Sequence, residues 1–72
     1  MQIKPQTIAV AIQCVAAEIK RLANELDNDQ AANPAETEQL LLTFDLAAAD
    51  LKKAYEVALE HYGDLPGYDD LL

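Results

Sequence analysis

Residues 8–26, IAVAIQCVAAEIKRLANEL, decide the fold of this chain. Large apolar side chains recur through the stretch at alternating steps of four and three residues: Ile8, Ile12, Val15, Ile19, Leu22 and Leu26. This spacing places them on one side of an α-helix that packs along its whole length against other helices. The first half of the stretch is also apolar on a second side, through Val10, Cys14 and Ala17, so we expect it to be covered on two sides.

Proline and capping residues set the expected helix boundaries. Pro5 suits the first turn of a helix, where its missing N–H would have no partner anyway, and helix 1 is predicted over about residues 5–27. The sequence NPAE at residues 33–36 combines an N-cap asparagine, a proline at the first helical position and a glutamate three residues after the cap. This is a strong start signal, and it predicts helix 2 over about residues 34–62.

Three residues are predicted to adopt the left-handed backbone that ends helices or forms turns. Asn28 follows helix 1, Gly63 follows helix 2, and Gly67 follows Pro66 in a turn sequence. Asparagine and glycine tolerate a positive φ better than other residues do.

Helix 2 carries its own apolar seam with the same three–four alternation: Leu41, Phe44, Ala48, Leu51, Tyr55, Ala58 and Tyr62. The two tyrosine rings are expected to pack in the core or at a subunit interface while their hydroxyls reach water. The connection between the helices is short, which makes them antiparallel neighbours. The sequence therefore predicts an all-α, antiparallel two-helix hairpin.

A lone hairpin would expose part of its apolar surface. Val10, Cys14, Leu42 and Leu46 lie off the seams, and uncovered apolar surface on a small protein marks an association site. We therefore predict a homodimer that forms an antiparallel four-helix bundle. The residues expected in the core or the dimer interface are Ile8, Val10, Ile12, Val15, Ile19, Leu22, Leu26, Leu41, Leu42, Phe44, Leu46, Leu51, Tyr55 and Tyr62.

The last ten residues, 63–72 (GDLPGYDDLL), form a tail distinct from the hairpin domain of residues 1–62. The favoured interpretation is that the tail folds back onto the hairpin, with Leu65 and Tyr68 as anchors. The alternative is a short peptide that docks on another protein. The candidate partner-binding residues in the tail are Leu65, Tyr68, Asp69, Asp70, Leu71 and Leu72.

The charge is strongly one-sided, with thirteen acidic residues against five basic ones and a formal net charge of −8. Such a chain is repelled by phosphate backbones and by anionic lipid headgroups, which argues against direct binding of nucleic acid or membranes. A basic protein, or one with an apolar groove, is the kind of partner that this charge allows.

No run of the sequence reaches the roughly 20 apolar residues that a membrane span needs. A lone cysteine favours a reducing compartment, so we expect a cytoplasmic protein.

Catalytic and cofactor-binding patterns are missing from the sequence. Cys14 is expected to be a small buried side chain rather than a nucleophile. His61 is the only histidine and has no second metal ligand at helical spacing, so it is better explained as a positive charge near a helix C-terminus. The chain contains no serine and no glycine-rich phosphate loop. We expect no metal, no cofactor and no catalytic residue.

Three functions remain open from these observations. The favoured one is a small, acidic, non-enzymatic protein-interaction module of the adaptor, chaperone or neutraliser type, working as a homodimeric bundle. The second is an acidic mimic of nucleic acid that blocks a basic protein surface. Any continuous acidic stripe is interrupted by four basic residues, Lys20, Arg21, Lys52 and Lys53. The third is a small enzyme or ligand carrier that uses Cys14, His61 and the tyrosines.

Overall fold

The computed structural model describes residues 3–72, and within that range the chain forms three helices and no strand. α1 spans Pro5–Asp27, α2 spans Pro34–His61 and a short α3 spans Tyr68–Leu71. α1 and α2 pack against each other as a hairpin, which confirms the predicted fold class. The molecule measures 43 × 24 × 14 Å, so it is a single layer of helices. Met1 and Gln2 of the predicted hairpin domain lie outside the described residues.

Both long helices begin where their prolines predict. Lys4 is extended and its carbonyl accepts hydrogen bonds from the N–H groups of Thr7 and Ile8, so Pro5 occupies the first helical position of α1. At the start of α2 the side chain of Asn33 accepts a 3.3 Å hydrogen bond from the N–H of Glu36. This is the N-cap that the sequence predicts, and it satisfies an N–H group that the helix itself leaves without a partner.

The three left-handed positions were wrongly predicted. Asn28 has φ −101°, and the positive φ falls instead on Asp29, at 55°. The reason is that the N–H of Asn28 still bonds to the Asn24 carbonyl, so the reversal comes one residue later. Gly63 has no positive φ and Gly67 has φ −65°. The chain leaves α2 in an extended conformation because it must run back along the hairpin before α3 begins.

The core lies between the first half of α1 and the second half of α2. Ile8, Ile12 and Tyr55 form its buried cluster, and Tyr55 is the most deeply buried large side chain, with 1% of its surface exposed. The Tyr55 hydroxyl does not reach water, contrary to expectation, because it donates a 2.7 Å hydrogen bond to the Pro66 carbonyl. A buried phenol needs such a partner, since an unpaired buried hydroxyl is costly.

A second buried pair of residues lies toward the loop. Leu22, near the end of α1, and Thr37, in the first turns of α2, are both buried. The Thr37 hydroxyl donates to the Asn33 carbonyl, which satisfies it inside its own helix. The burial of Thr37 was not predicted from the sequence. Its position four residues before Leu41 continues the α2 seam by one step, and that spacing was the available signal.

The tail closes the core, as the favoured interpretation of residues 63–72 predicted. Leu65, Tyr68 and Leu71 are half-buried and pack against the cluster of Ile8, Ile12 and Tyr55. Two polar contacts add to this packing. The side chain of Gln13 donates a 3.3 Å hydrogen bond to the Leu71 carbonyl, and the Lys52 ammonium lies 5.1 Å from the centre of the Tyr68 ring. The latter distance is typical of a cation–π contact.

Candidate interaction surfaces

The single chain leaves large apolar side chains uncovered on both long helices and on the segments that flank the helices. Those about half or more exposed are Ile3, Val10, Leu40, Leu42, Leu46, Val57, Tyr62 and Leu72. The exposure of Val10, Leu42 and Leu46 agrees with what a single hairpin was expected to leave open. Tyr62, by contrast, follows the end of α2 and is not part of the core of the single chain. Exposed apolar surface of this extent is typical of a protein-binding protein.

The remaining interface candidates line the hairpin seam. Ile8, Ile12, Leu22 and Tyr55 are buried in the single chain. The half-buried members of the set are Val15, Ile19, Leu26, Leu41, Phe44 and Leu51. These residues hold α1 against α2, and the residues available to a second molecule are the exposed members of the predicted set.

On α2 the exposed apolar side chains include an outer stripe, which we define as Leu42, Leu46 and Val57. At 100° per residue these three positions project within about 60° of one another. They point away from the side that carries the buried Thr37 and Tyr55. The outer stripe is therefore exposed to solvent between residues 42 and 57, and Val57 at its end also lines a groove formed with the start of α1.

Charge is distributed unevenly between the two long helices. α2 contains six acidic residues against two lysines, and all eight are exposed. α1 contains three acidic residues against one lysine and one arginine, and residues 5–17 of α1 carry no charged side chain at all. Most of the negative charge therefore lies on α2 and on the tail, where Asp64, Asp69 and Asp70 are exposed.

Arg21 forms ion pairs with two glutamates of its own helix, α1. Its guanidinium contacts Glu18 at 2.5 and 2.9 Å and Glu25 at 2.6 Å. The hydrogen bond from Arg21 lowers the pKa of the Glu18 carboxyl, and the pKa of Arg21 is raised in return, chiefly by Glu18. The spacing of three and four residues would have predicted this cluster. Within residues 3–72, the acidic residues of α2 have no comparable ion pair.

The second side of α1 is not covered in the single chain. Val10 is 57% exposed, and Cys14 and Ala17 are exposed as well. The exposure of Cys14 agrees with what a single hairpin was expected to leave open, and the burial expected for this side chain is not reached in one chain, because α2 covers only one side of α1. This side of α1 combines exposed apolar atoms with an absence of charge over residues 5–17.

The tail residues proposed for partner binding divide into two groups. Leu65, Tyr68 and Leu71 are engaged with the core of their own chain. Asp69, Asp70 and Leu72 remain exposed. Only the second group is free to contact another molecule while the tail stays docked.

An open groove of about 730 Å³ lies where the start of α1 meets the end of α2, and its walls include Ile3, Lys4, Val57 and His61. His61 is exposed and is the last residue of α2, which is the position expected for a histidine that interacts with the helix dipole.

Across residues 3–72 no group of three or more histidine, cysteine and acidic side chains could hold a metal ion. No helix in the described part of the chain is long and apolar enough to cross a membrane.

Comparison with known proteins identifies the family. A family model described as "T6SS, Immune protein Tsi2-like" matches residues 1–71. The chain belongs to this Tsi2-like family of type VI secretion system immune proteins. It is also 58% identical over 72 residues to the immune protein Tsi2 of Pseudomonas aeruginosa, an alignment that covers 100% of this chain and 94% of the relative.

Membership of the Tsi2-like family narrows the favoured prediction. The sequence left adaptor, chaperone and neutraliser equally open, and the match to an immune protein family favours the last of these. Because the match extends over nearly the whole chain, the hairpin and the docked tail both lie within the family region.

Proposed function

We propose that this protein binds a toxin of a type VI secretion system and neutralises it by direct contact, without catalysing a reaction. The observation that carries the proposal is membership of the Tsi2-like immune protein family along residues 1–71. The surface supports it physically, since exposed apolar side chains such as Leu42 and Leu46 lie among acidic ones. A protein that works by contact needs such a surface and needs no catalytic group.

The working form in this proposal is a homodimer. Two copies that each carry a net charge of −8 repel one another, so they should meet where charge is lowest. The second side of α1, with Val10, Cys14 and Ala17 in an uncharged segment, satisfies this condition. Pairing there would cover the apolar surface that α2 leaves open.

The proposed place of action is the cytoplasm. The chain has a single cysteine and hence no internal disulfide, which suits a reducing compartment. Fractionation of cells that produce the protein at native level, with known cytoplasmic and periplasmic markers, tests this part of the proposal.

Growth rescue tests the proposed function directly. Each toxin secreted by the type VI system of the same strain is produced in a susceptible host, alone and together with this protein. We expect the protein to restore growth against one toxin and to form a complex with it in size-exclusion chromatography. An unrelated acidic helical protein of similar size is the control for non-specific charge effects. Rescue of no toxin, or equal rescue by the control, would contradict the proposal.

The acidic surface also favours a second candidate, in which the protein imitates nucleic acid and blocks a basic site. The exposed acidic residues of α2 support it, whereas Lys53 interrupts their sequence. Competition with DNA or RNA for the same basic protein, weakened steeply by salt, is the result that this candidate requires.

A further inference from the structure

The outer stripe of α2 lies among acidic residues along its length. Leu42 follows Glu38 by four residues and precedes Asp45 by three, so both carboxylates are its neighbours on the helix surface. Leu46 lies four residues before Asp50, and Val57 lies three before Glu60. Each apolar member of the stripe therefore has at least one acidic neighbour.

These carboxylates are available to an outside cation. The ion pairs within residues 3–72 are those of Arg21 with Glu18 and Glu25 on α1, so none involves an acidic residue of α2. Lys52 lies over the Tyr68 ring and belongs to the tail contact. Lys53 projects within the outer stripe, four residues before Val57, and is outnumbered on this side of α2 by the acidic residues.

From this arrangement we infer that the outer stripe of α2, together with its acidic neighbours, is the surface that docks the toxin. The matching surface on the toxin has an apolar centre and a rim of lysine or arginine. Apolar contacts at the centre supply affinity, and the charges on the rim speed association and select the partner. This inference rests on the proposed function and adds which face of the protein binds the toxin.

A second copy of this chain is a poorer occupant of the outer stripe. Pairing two α2 helices would bring acidic residues of both copies together, and like charges across an interface are unfavourable. The uncharged side of α1 offers self-association without that cost. Charge alone therefore favours a second copy of the chain on the uncharged side of α1 and a basic toxin surface on the outer stripe of α2.

Two matched pairs of single variants test the assignment, using the toxin identified by growth rescue in a catalytically inactive form. Leu46→Ala is compared with Leu40→Ala, because both leucines are exposed on α2, at 65% and 48%, and only the first lies on the outer stripe. Asp50→Lys is compared with Asp27→Lys, because both aspartates are exposed and only the first neighbours the stripe. Affinity is measured by calorimetry at low and high salt, and circular dichroism confirms that each variant is folded.

We expect Leu46→Ala and Asp50→Lys each to weaken toxin binding about tenfold, as at central and charge-complementary interface positions. Asp50→Lys should also reduce the salt dependence, since it removes a screened attraction. Leu40→Ala and Asp27→Lys should change the affinity by less than about twofold.

Three results would overturn the inference. One is binding by the Leu46 and Asp50 variants that equals wild type. Another is a loss of affinity in the control variants as large as in the test variants. The third is a fall in the mass of free Leu46→Ala protein by light scattering, which would show the outer stripe to be an interface between copies. In each of these cases wild-type binding would leave the proposed function standing, whereas failure of wild type to bind any toxin would contradict the proposed function itself.

Discussion

The Tyr55 hydroxyl donates a 2.7 Å hydrogen bond to the carbonyl of Pro66, which ties the most buried side chain of α2 to the tail. The contact joins two residues only eleven positions apart in sequence, across the reversal after His61. It fixes where the tail turns and thereby sets Leu65 and Tyr68 against the core.

Tyr55→Phe should lower stability by about 1 kcal/mol, because it removes one buried hydrogen bond and leaves the Pro66 carbonyl without its partner. For a domain of this size that corresponds to a fall in Tm of roughly 4–8 °C. Tyr62→Phe is the control, since Tyr62 is exposed and its hydroxyl makes no hydrogen bond within residues 3–72. Equal Tm values for the two variants in thermal denaturation would show that the bond contributes nothing.

Removal of residues 64–72 should reduce thermal stability strongly. The deletion uncovers Ile8, Ile12 and Tyr55, whose burial depends on Leu65, Tyr68 and Leu71. Removing one fully buried large apolar side chain lowers the free energy of unfolding by about 1.5–3 kcal/mol. The loss per residue should be somewhat smaller here, because Leu65, Tyr68 and Leu71 are half-buried. Deletion of Leu72 alone is the control. If the longer deletion leaves the denaturation midpoint unchanged, the docked tail is not a structural part of the fold.

Asn33→Ala should destabilise the protein by about 1 kcal/mol, because the N-cap side chain accepts the N–H of Glu36. Asn24→Ala is the matched control within α1, where alanine is the better helix former and a small gain in stability is expected. Urea denaturation of both variants gives the comparison. An Asn33 variant as stable as the Asn24 variant would contradict the assigned cap.

Arg21→Gln should raise the pKa of Glu18 toward its ordinary value of 4.5, since the lowered pKa comes first from the hydrogen bond with Arg21. A carboxyl with a lower pKa in the folded chain stabilises the fold at pH values above its unfolded pKa, and this contribution is lost as the pH falls through the folded pKa. The cluster therefore acts at neutral pH and fades below about 4.5. Because it is exposed, its effect on stability should be small. Carboxyl NMR titration measures the shift, with Lys20→Gln as control.

Val10→Asp should convert the proposed homodimer into a monomer, because it places a charge at the centre of an uncharged apolar surface. Leu46→Asp introduces the same charge on the outer stripe of α2 and should leave the dimer intact. Light scattering over a range of concentrations distinguishes the two. A wild-type chain that stays monomeric at micromolar concentration would refute the dimer, and dissociation by Leu46→Asp instead would move the interface to α2.

Local signals predicted the architecture well. Pro5, Asn33 and Pro34 act within one helical turn, so their effect on the start of a helix can be read without knowing the rest of the fold. The four–three spacing of the two seams likewise predicted which sides of α1 and α2 meet. These features depend on residues close in sequence.

Predictions that depended on distant contacts failed. Gly63 and Gly67 were assigned a positive φ from residue type alone, yet the path of the docked tail requires other backbone angles. The hydroxyl of Tyr55 was expected in water because nothing in its own helix indicates Pro66 as a partner. Composition and apolar patterning indicated a protein-interaction module but left adaptor, chaperone and neutraliser equally open. They did not indicate the Tsi2-like immune protein family, because no short motif in the sequence marks it.

Docking of the tail has a consequence for how the protein is made. Leu65, Tyr68 and Leu71 complete the packing around Ile8, Ile12 and Tyr55, so the core reaches its full packing only after the chain has been synthesised through Leu71. A nascent hairpin, or one trimmed by a protease from its carboxyl end, presents open apolar surface to chaperones and to further degradation. Only chains that keep residues 65–71 can bury the core as it is buried here.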